Sequence, residues 1–242
     1  MSKILLEVCI DDVVGLAAAV AGGADRIELC SALALGGLTP STGLMKLAAL
    51  APVPIYAMIR PRAGDFVYNA GEIEIMCADI DQVRNCGLAG IVFGASHSDG
   101  TLNSSQLRQL VVHAKGLGST LHCAFDLAPE YRAAIDVAVD LGFERILTSG
   151  SAKQASAGIA RLADCMTYAA GRIIIMPGGG IDAASAATLL EKLSLQEVHA
   201  SCSSFVAHSD SRLLELGFAA AQTKVTDQSK VEALKKTLNR HQ

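Results

Sequence analysis

The chain has 242 residues and a formal net charge of −4; 51% of its residues are hydrophobic, only 4% aromatic, and none is tryptophan. Acids and bases are interspersed and no basic run occurs, which argues against nucleic acid or an anionic membrane as the main partner. Its seven cysteines, an odd number with no CxxC pair, read as reduced thiols of a cytoplasmic protein rather than as a disulfide framework or a zinc finger.

In chain order, Met1-Ser2-Lys3 runs at once into a short apolar stretch broken by Glu7, so no signal peptide is expected there. No window holds the ~18 apolar residues that a spanning helix needs. From that point β-rich runs alternate with longer Ala/Leu-rich amphipathic runs. The pattern predicts strands at 4–9, 26–30, 55–60, 90–94, 120–126, 145–148, 172–176 and 197–200. Helices are expected at 11–21, 41–50, 72–86, 104–115, 130–141, 154–168, 182–192 and 212–221, with one more from 226 to 240. Ser41, Ser104 and Asp182 each place a capping oxygen beside a first turn, and Gly87, Gly116 and Gly142 end helices. Repeated strand–helix alternation means parallel strands, because each return needs a crossover helix. Eight such units close a barrel, typically of ~250 residues. No GxGxxG follows the first strand and no composition break marks two halves. The expected fold is therefore a single (β/α)8 TIM-type barrel over residues 1–242, with an extra C-terminal helix.

In a barrel strand alternate residues face the lumen. Glu7 and Cys9 share one face of the first strand, Glu28 and Cys30 one face of the second. Met58 and Arg60 are in phase on the third, and the fifth expected strand aligns His122 with Asp126. The eighth offers His199. The outer face must meet apolar helices, so the charged frame is the lumen. Burying an unpaired ion costs several kcal/mol, roughly the stability of a whole domain. These groups either form an internal ion-pair network that fixes the barrel or hold a ligand. Their clustering toward the carboxyl ends of strands favours the ligand, since barrel enzymes place their sites there.

Three local patterns carry chemistry. Cys9 and Cys30 end consecutive strands ~4.8 Å apart, about the span of two ~2.3 Å metal–sulfur bonds. With the Met58 thioether they would suit Cu(I) better than Mg²⁺ or Ca²⁺, although the spacing also permits a disulfide or plain packing. Cys77, Cys86, Cys165 and Cys202 read as packing residues. Thr148-Ser149-Gly150 after the sixth strand and Gly178-Gly179-Gly180 after the seventh could cradle a phosphate or carboxylate, or could be tight turns that need positive φ. The loop 60–68 brings Arg60 and Arg62, forked donors for an anion, with Asp65 between them and a possible aromatic flap of Phe66 and Tyr68. A solvated surface loop is the bland alternative.

The strings EVCIDD (7–12), GGADRIELCSALALGGLTPS (22–41), MIRPRAGDFVY (58–68), LTSGSA (147–152), MPGGGI (176–181) and KVTD (224–227) resemble, in the same order, the CutC family of copper homeostasis proteins. The resemblance spans nearly the whole chain. It implies a (β/α)8 barrel, a cytoplasmic protein linked to copper tolerance, and a homo-oligomer, dimer or larger. It also implies Cu(I) bound through cysteines that map onto Cys9 and Cys30. One departure stands out: the chain reads LHCAFD at 121–126 where the family typically has FHRAFD, so Cys123 replaces an arginine. Strand phase turns Cys123 toward the helices, where the change would be packing.

Two functions follow. The first is copper homeostasis, with Cu(I) at Cys9, Cys30 and Met58. The second is an enzyme acting on a small anionic metabolite, with copper incidental. Glu7 or Glu28 would then be the general base and His122 or Asp126 a proton relay. Arg60 and Arg62 would clamp the anion, with Asp65, Thr148, Ser149, His199 and the cradle of Gly178, Gly179 and Gly180 completing the small-molecule site. A thiol redox pair of Cys9 and Cys30 is a third, weaker possibility.

Overall fold

Eight short parallel strands line the centre of the molecule. They are β1 (Leu5–Ile10), β2 (Arg26–Leu29), β3 (Ile55–Met58), β4 (Gly90–Phe93), β5 (Gly118–Leu121), β6 (Arg145–Thr148), β7 (Ile174–Pro177) and β8 (Glu197–Ala200). The hydrogen-bonded order is β7-β6-β5-β4-β3-β2-β1-β8, and β8 returns beside β7 to complete a TIM-type barrel. The computed structural model describes residues 3–240; Met1 and Ser2, part of the leader reading, lie outside them, as do His241 and Gln242.

Around the strands run α1 (Val13–Ala21), α2 (Thr42–Ala48), α3 (Ala70–Asn85), α4 (Ser104–His113), α5 (Tyr131–Leu141), α6 (Ile159–Ala169) and α7 (Ala183–Leu190). The alternation in the sequence sets the two faces. Leu6, Val8 and Ile10 of β1, and Ile27 and Leu29 of β2, join the apolar layer shared with the helices. Glu7 and Glu28 are equally buried but face inward. Side-chain caps start the helices: Ser41 accepts the Leu44 N–H, and Asn69 with Glu72 forms a reciprocal capping box. At α4 the cap is Asn103, not Ser104, which is already the first helical residue.

Three stretches depart from the sequence reading. The fifth strand stops at Leu121, and Cys123–Leu127 forms a 3-10 turn instead of continuing to Asp126. His122 accepts the Ala124 N–H on Nδ1 and so acts as the cap that bends the chain there. α6 begins at Ile159, because 151–158 is a loop tied to the β6 turn. The expected helix at 212–221 is only α8 (Ser211–Glu215), seated at the tip of an antiparallel hairpin of β9 (Ser203–Ala207) and β10 (Gln222–Thr226). The last helix, α9 (Gln228–Asn239), packs Val231, Leu234 and Leu238 against α1 and α7. A Cβ at Gly22 would lie 2.5 Å from Val231 Cβ, so glycine is needed for that approach. No described helix is long and apolar enough to cross a membrane.

Candidate metal and ligand cavity

Register decides which inward groups meet. β1 pairs with β2 so that Glu7 lies opposite Arg26 and Cys9 opposite Glu28; on its other side Glu7 lies opposite His199. The lumen is therefore layered. In the lower layer the Arg26 guanidinium bonds Glu7 and reaches Glu197 Oε2 at 2.5 Å. Arg145 Nε lies 2.9 Å from the same Glu197 oxygen. The Tyr56 ring sits between the two arginines, 5.2 and 5.0 Å from their guanidinium carbons. This is a closed ion-pair network, the arrangement that lets buried charges persist. Burial alone would raise the Glu7 carboxyl, but Arg26 and His199 hold it at about 2.

The upper layer holds Cys9, Glu28 and His199. One ligand atom of each lies within 4.8 Å of the other two, and all three residues are buried. His199 Nδ1 is 2.8 Å from Glu7 Oε1, while its Nε2 lies 3.7 Å from Glu28 Oε2. Glu28 Oε1 has no hydrogen-bond partner in the protein. Burial raises the Glu28 carboxyl above its usual range; His199 is pushed well above 6.5 because Glu28 and Cys9 outweigh burial.

These residues open onto a cavity of about 750 Å³. Met58, His122, Asp126, Thr148, Ser149, Gly178 and Gly179 share its wall. Gly179 has φ +101°, a conformation that strains any other residue, while a Cβ at Gly178 would fall 2.4 Å from Leu147 Cδ1 and displace the end of that side chain. Asp126 accepts from Thr148 Oγ1 at 2.5 Å and from the Ser149 and Ser151 N–H groups at 3.0 and 2.8 Å, which fixes the β6 loop. His122 is neutral: burial and then Arg60 lower its ring to about 3.

Other predicted residues stand back from the wall. Glu7 lies beneath it, both oxygens engaged. Cys30 is packed with Tyr56, Met58 and Val92; its thiol lies 3.7 Å from Glu28 Oε2 and is pushed up by burial. Arg60 gives its guanidinium to the carbonyls of Leu35, Gly37 and Gly64 at 3.0, 3.1 and 2.7 Å, clamping two loops together. Arg62 bonds Glu72, Asp65 and the Val67 carbonyl, so it braces its own loop with Asp65. Gly180 completes the turn at φ +68° without lining the cavity. Cys123 corrects the packing expectation: because the strand ends at Leu121, its side chain is exposed on the cavity wall.

The family model for the CutC family matches residues 4–204. A family protein CutC of Sinorhizobium medicae is 56% identical over 239 residues, covering 99% of this chain and 98% of the relative. The chain belongs to the CutC family. A crystal structure of a copper homeostasis protein CutC from Streptococcus agalactiae superposes with a TM-score of 0.78 at 33% identity, over 82% of this chain and 98% of that one. A thiamine phosphate pyrophosphorylase from Pyrococcus furiosus, 13% identical with a TM-score of 0.60 over 99% of this chain and 97% of its own, shares the barrel fold alone.

In this CutC barrel the sequence reading missed the hairpin and the two lysines, Lys153 and Lys224, that reach the cavity wall. The signal was present for the hairpin: Thr223, Val225 and the KVTD string are β-branched and alternate with polar residues. Nothing comparable announced Lys153.

Proposed function

We propose that this CutC barrel handles copper in the cytoplasm, holding the ion as cargo at Cys9, Glu28 and His199 beside the Met58 thioether. The observation that carries this reading is the buried set of sulfur, nitrogen and oxygen donors within 4.8 Å of one another. Glu28 Oε1 is buried with no protein partner, and a bound cation would offset the cost of burying it. Thiolate and imidazole suit Cu(I), and seven free thiols fit reducing surroundings. Cys30 stands two residues beyond the ladder partner of Cys9. In this reading it supports Glu28 rather than ligating first.

The test is an anaerobic Cu(I) titration against a competing chelator, with Zn²⁺ in parallel. Cys9→Ser and His199→Gln should each abolish tight stoichiometric binding, Glu28→Gln should weaken it, and Cys30→Ser should weaken it less than Cys9→Ser. Equal binding in wild type and Cys9→Ser would sink the proposal. A larger loss in Cys30→Ser would restore the two-cysteine site.

The size of the cavity favours a second reading, since about 750 Å³ far exceeds the need of one ion. An enzyme using this space has Glu28 as its base, with His122 facing the same cavity. Mass spectrometry of the gently desalted protein would reveal a retained small molecule. We also propose a homo-oligomer: Phe205, Leu216 and Phe218 on the hairpin and its tip are 66%, 66% and 77% exposed. Sedimentation velocity showing only monomer would remove that proposal.

A further inference from the structure

The acids and bases on the cavity wall differ in what they already bond. Asp11 accepts the Leu33 N–H at 2.9 Å, and Asp12 the Gly15 N–H at 2.5 Å. Asp126 is engaged by the β6 loop, as described above. The carboxylates of the outer wall are thus satisfied by the protein's own donors. The donors are not matched in the same way. Lys153 and Lys224 line the cavity, and neither is ion-paired among the described residues. Lys224 Nζ lies over the Phe205 ring, 5.4 Å from its centre. His122 is 1% exposed and uses Nδ1 as an acceptor, which leaves the ring proton on Nε2. That Nε2 has no partner in the protein. A buried N–H without an acceptor is uncommon in a native structure and asks for an occupant.

The hairpin adds a second point. Phe205, Ala220, Gln222, Thr223, Lys224 and Thr226 all line the cavity, and all lie beyond residue 204, where the family model's match ends, although the Sinorhizobium medicae relative aligns over 99% of the chain. Part of the wall, including one of its two lysines, is therefore supplied by a segment outside the family model's span.

We infer that the cavity takes a small organic anion, its carboxylate or phosphate met by Lys153 and Lys224 and one of its oxygens accepting from His122 Nε2–H. The hairpin β9–β10, through Lys224, then helps set which anion fits. This inference rests on the small-molecule reading of the cavity, and it requires neither a bound metal nor turnover.

The experiment uses the full chain freed of metal with a chelator, at low ionic strength, titrated calorimetrically with inorganic phosphate and separately with succinate. Wild type should bind at least one of them saturably. Lys153→Gln and Lys224→Gln should each weaken that binding about tenfold, the loss expected of one charge-assisted hydrogen bond. Lys192→Gln, a change at an exposed lysine off the cavity wall, should leave it unchanged. Binding of phosphate alone assigns a phosphate-bearing ligand, and binding of succinate alone a carboxylate. No saturable binding of either anion, or binding that both cavity-lysine variants retain in full, overturns the inference. A protein that binds the anion but shows no catalysis would leave it standing while removing the enzyme reading.

Discussion

His199 places Nδ1 2.8 Å from Glu7 Oε1, and that contact decides which ring nitrogen faces the donors above it. With the Nδ1 proton held by the carboxylate, Nε2 is the nitrogen directed to Glu28 and Cys9. Metal-bound histidines are commonly oriented by such a carboxylate, and losing it typically costs 10–100-fold in affinity. Glu7→Gln should therefore weaken Cu(I) binding by about that factor although Glu7 is no ligand. A competition titration on the folded variant checks this; unchanged affinity would show that Glu7 serves the ion-pair layer alone.

That lower layer makes its own prediction. Arg26 answers both Glu7 and Glu197, and all three are buried. Arg26→Met fills similar space but leaves Glu7 with His199 alone and Glu197 with Arg145 alone. Breaking a buried pair from one side costs roughly 3–5 kcal/mol, so the urea midpoint should fall accordingly. A shift well below that would mean that the remaining His199 and Arg145 contacts, or water, suffice for the two carboxylates.

The inward frame was legible because it needs only alternation: Glu7 with Cys9, Glu28 with Cys30. The stagger between strands was not. Equal motifs invite pairing Cys9 with Cys30, whereas the ladder sets Cys9 against Glu28 and carries Cys30 one inward position further, about 6.6 Å along a strand. Shear accumulates around the whole barrel and leaves no mark in any one strand. The fifth strand failed for a different reason. Ala124 and Phe125 are apolar enough to continue a strand, but His122 uses its own ring to cap the next turn, a tertiary choice that periodicity cannot register. The segment 211–221 carries leucines at helical spacing, and only one short helix forms there because the flanking β-branched residues pair with each other.

Acid stability should report on His122. Its ring is ordinarily half-protonated at 6.5 but only at about 3 in the folded protein. Below 6.5 the unfolded chain takes up a proton that the folded chain refuses, so stability falls as pH drops from 6.5 toward 3. Glu7, held at about 2 against 4.5, adds a loss of the same sign between pH 4.5 and 2. His199 acts oppositely: its raised value contributes stability below 6.5 that disappears as pH climbs through the folded value. His122→Asn keeps an acceptor for the Ala124 N–H and removes one titration. Urea midpoints measured from pH 7 to 3 should then give a flatter acid limb than wild type, and an identical slope would mean that His122 is not held neutral.

Two glycines should respond with opposite signs. At Gly158 a Cβ would lie 2.0 Å from the Ser149 carbonyl oxygen and 3.1 Å from Gly150 Cα, both backbone atoms that cannot swing aside. Gly158→Ala must therefore push the start of α6 away from the β6 turn that Asp126 holds. Overpacking of this kind costs about 1–3 kcal/mol. Gly43 lies within α2, and its nearest neighbour would be Ser41 Oγ at 3.9 Å, ordinary contact. There alanine only removes backbone freedom from the unfolded chain, so Gly43→Ala should stabilise by about 0.5–1 kcal/mol. Paired urea melts compare the two directly. If the close approach at Gly158 also shapes the ligand wall, Gly158→Ala should lose anion binding beyond its loss of stability, because Ser149 lines the cavity and shares that turn. Full retention of binding at a temperature where both proteins are folded would separate the loop's packing from the cavity it borders.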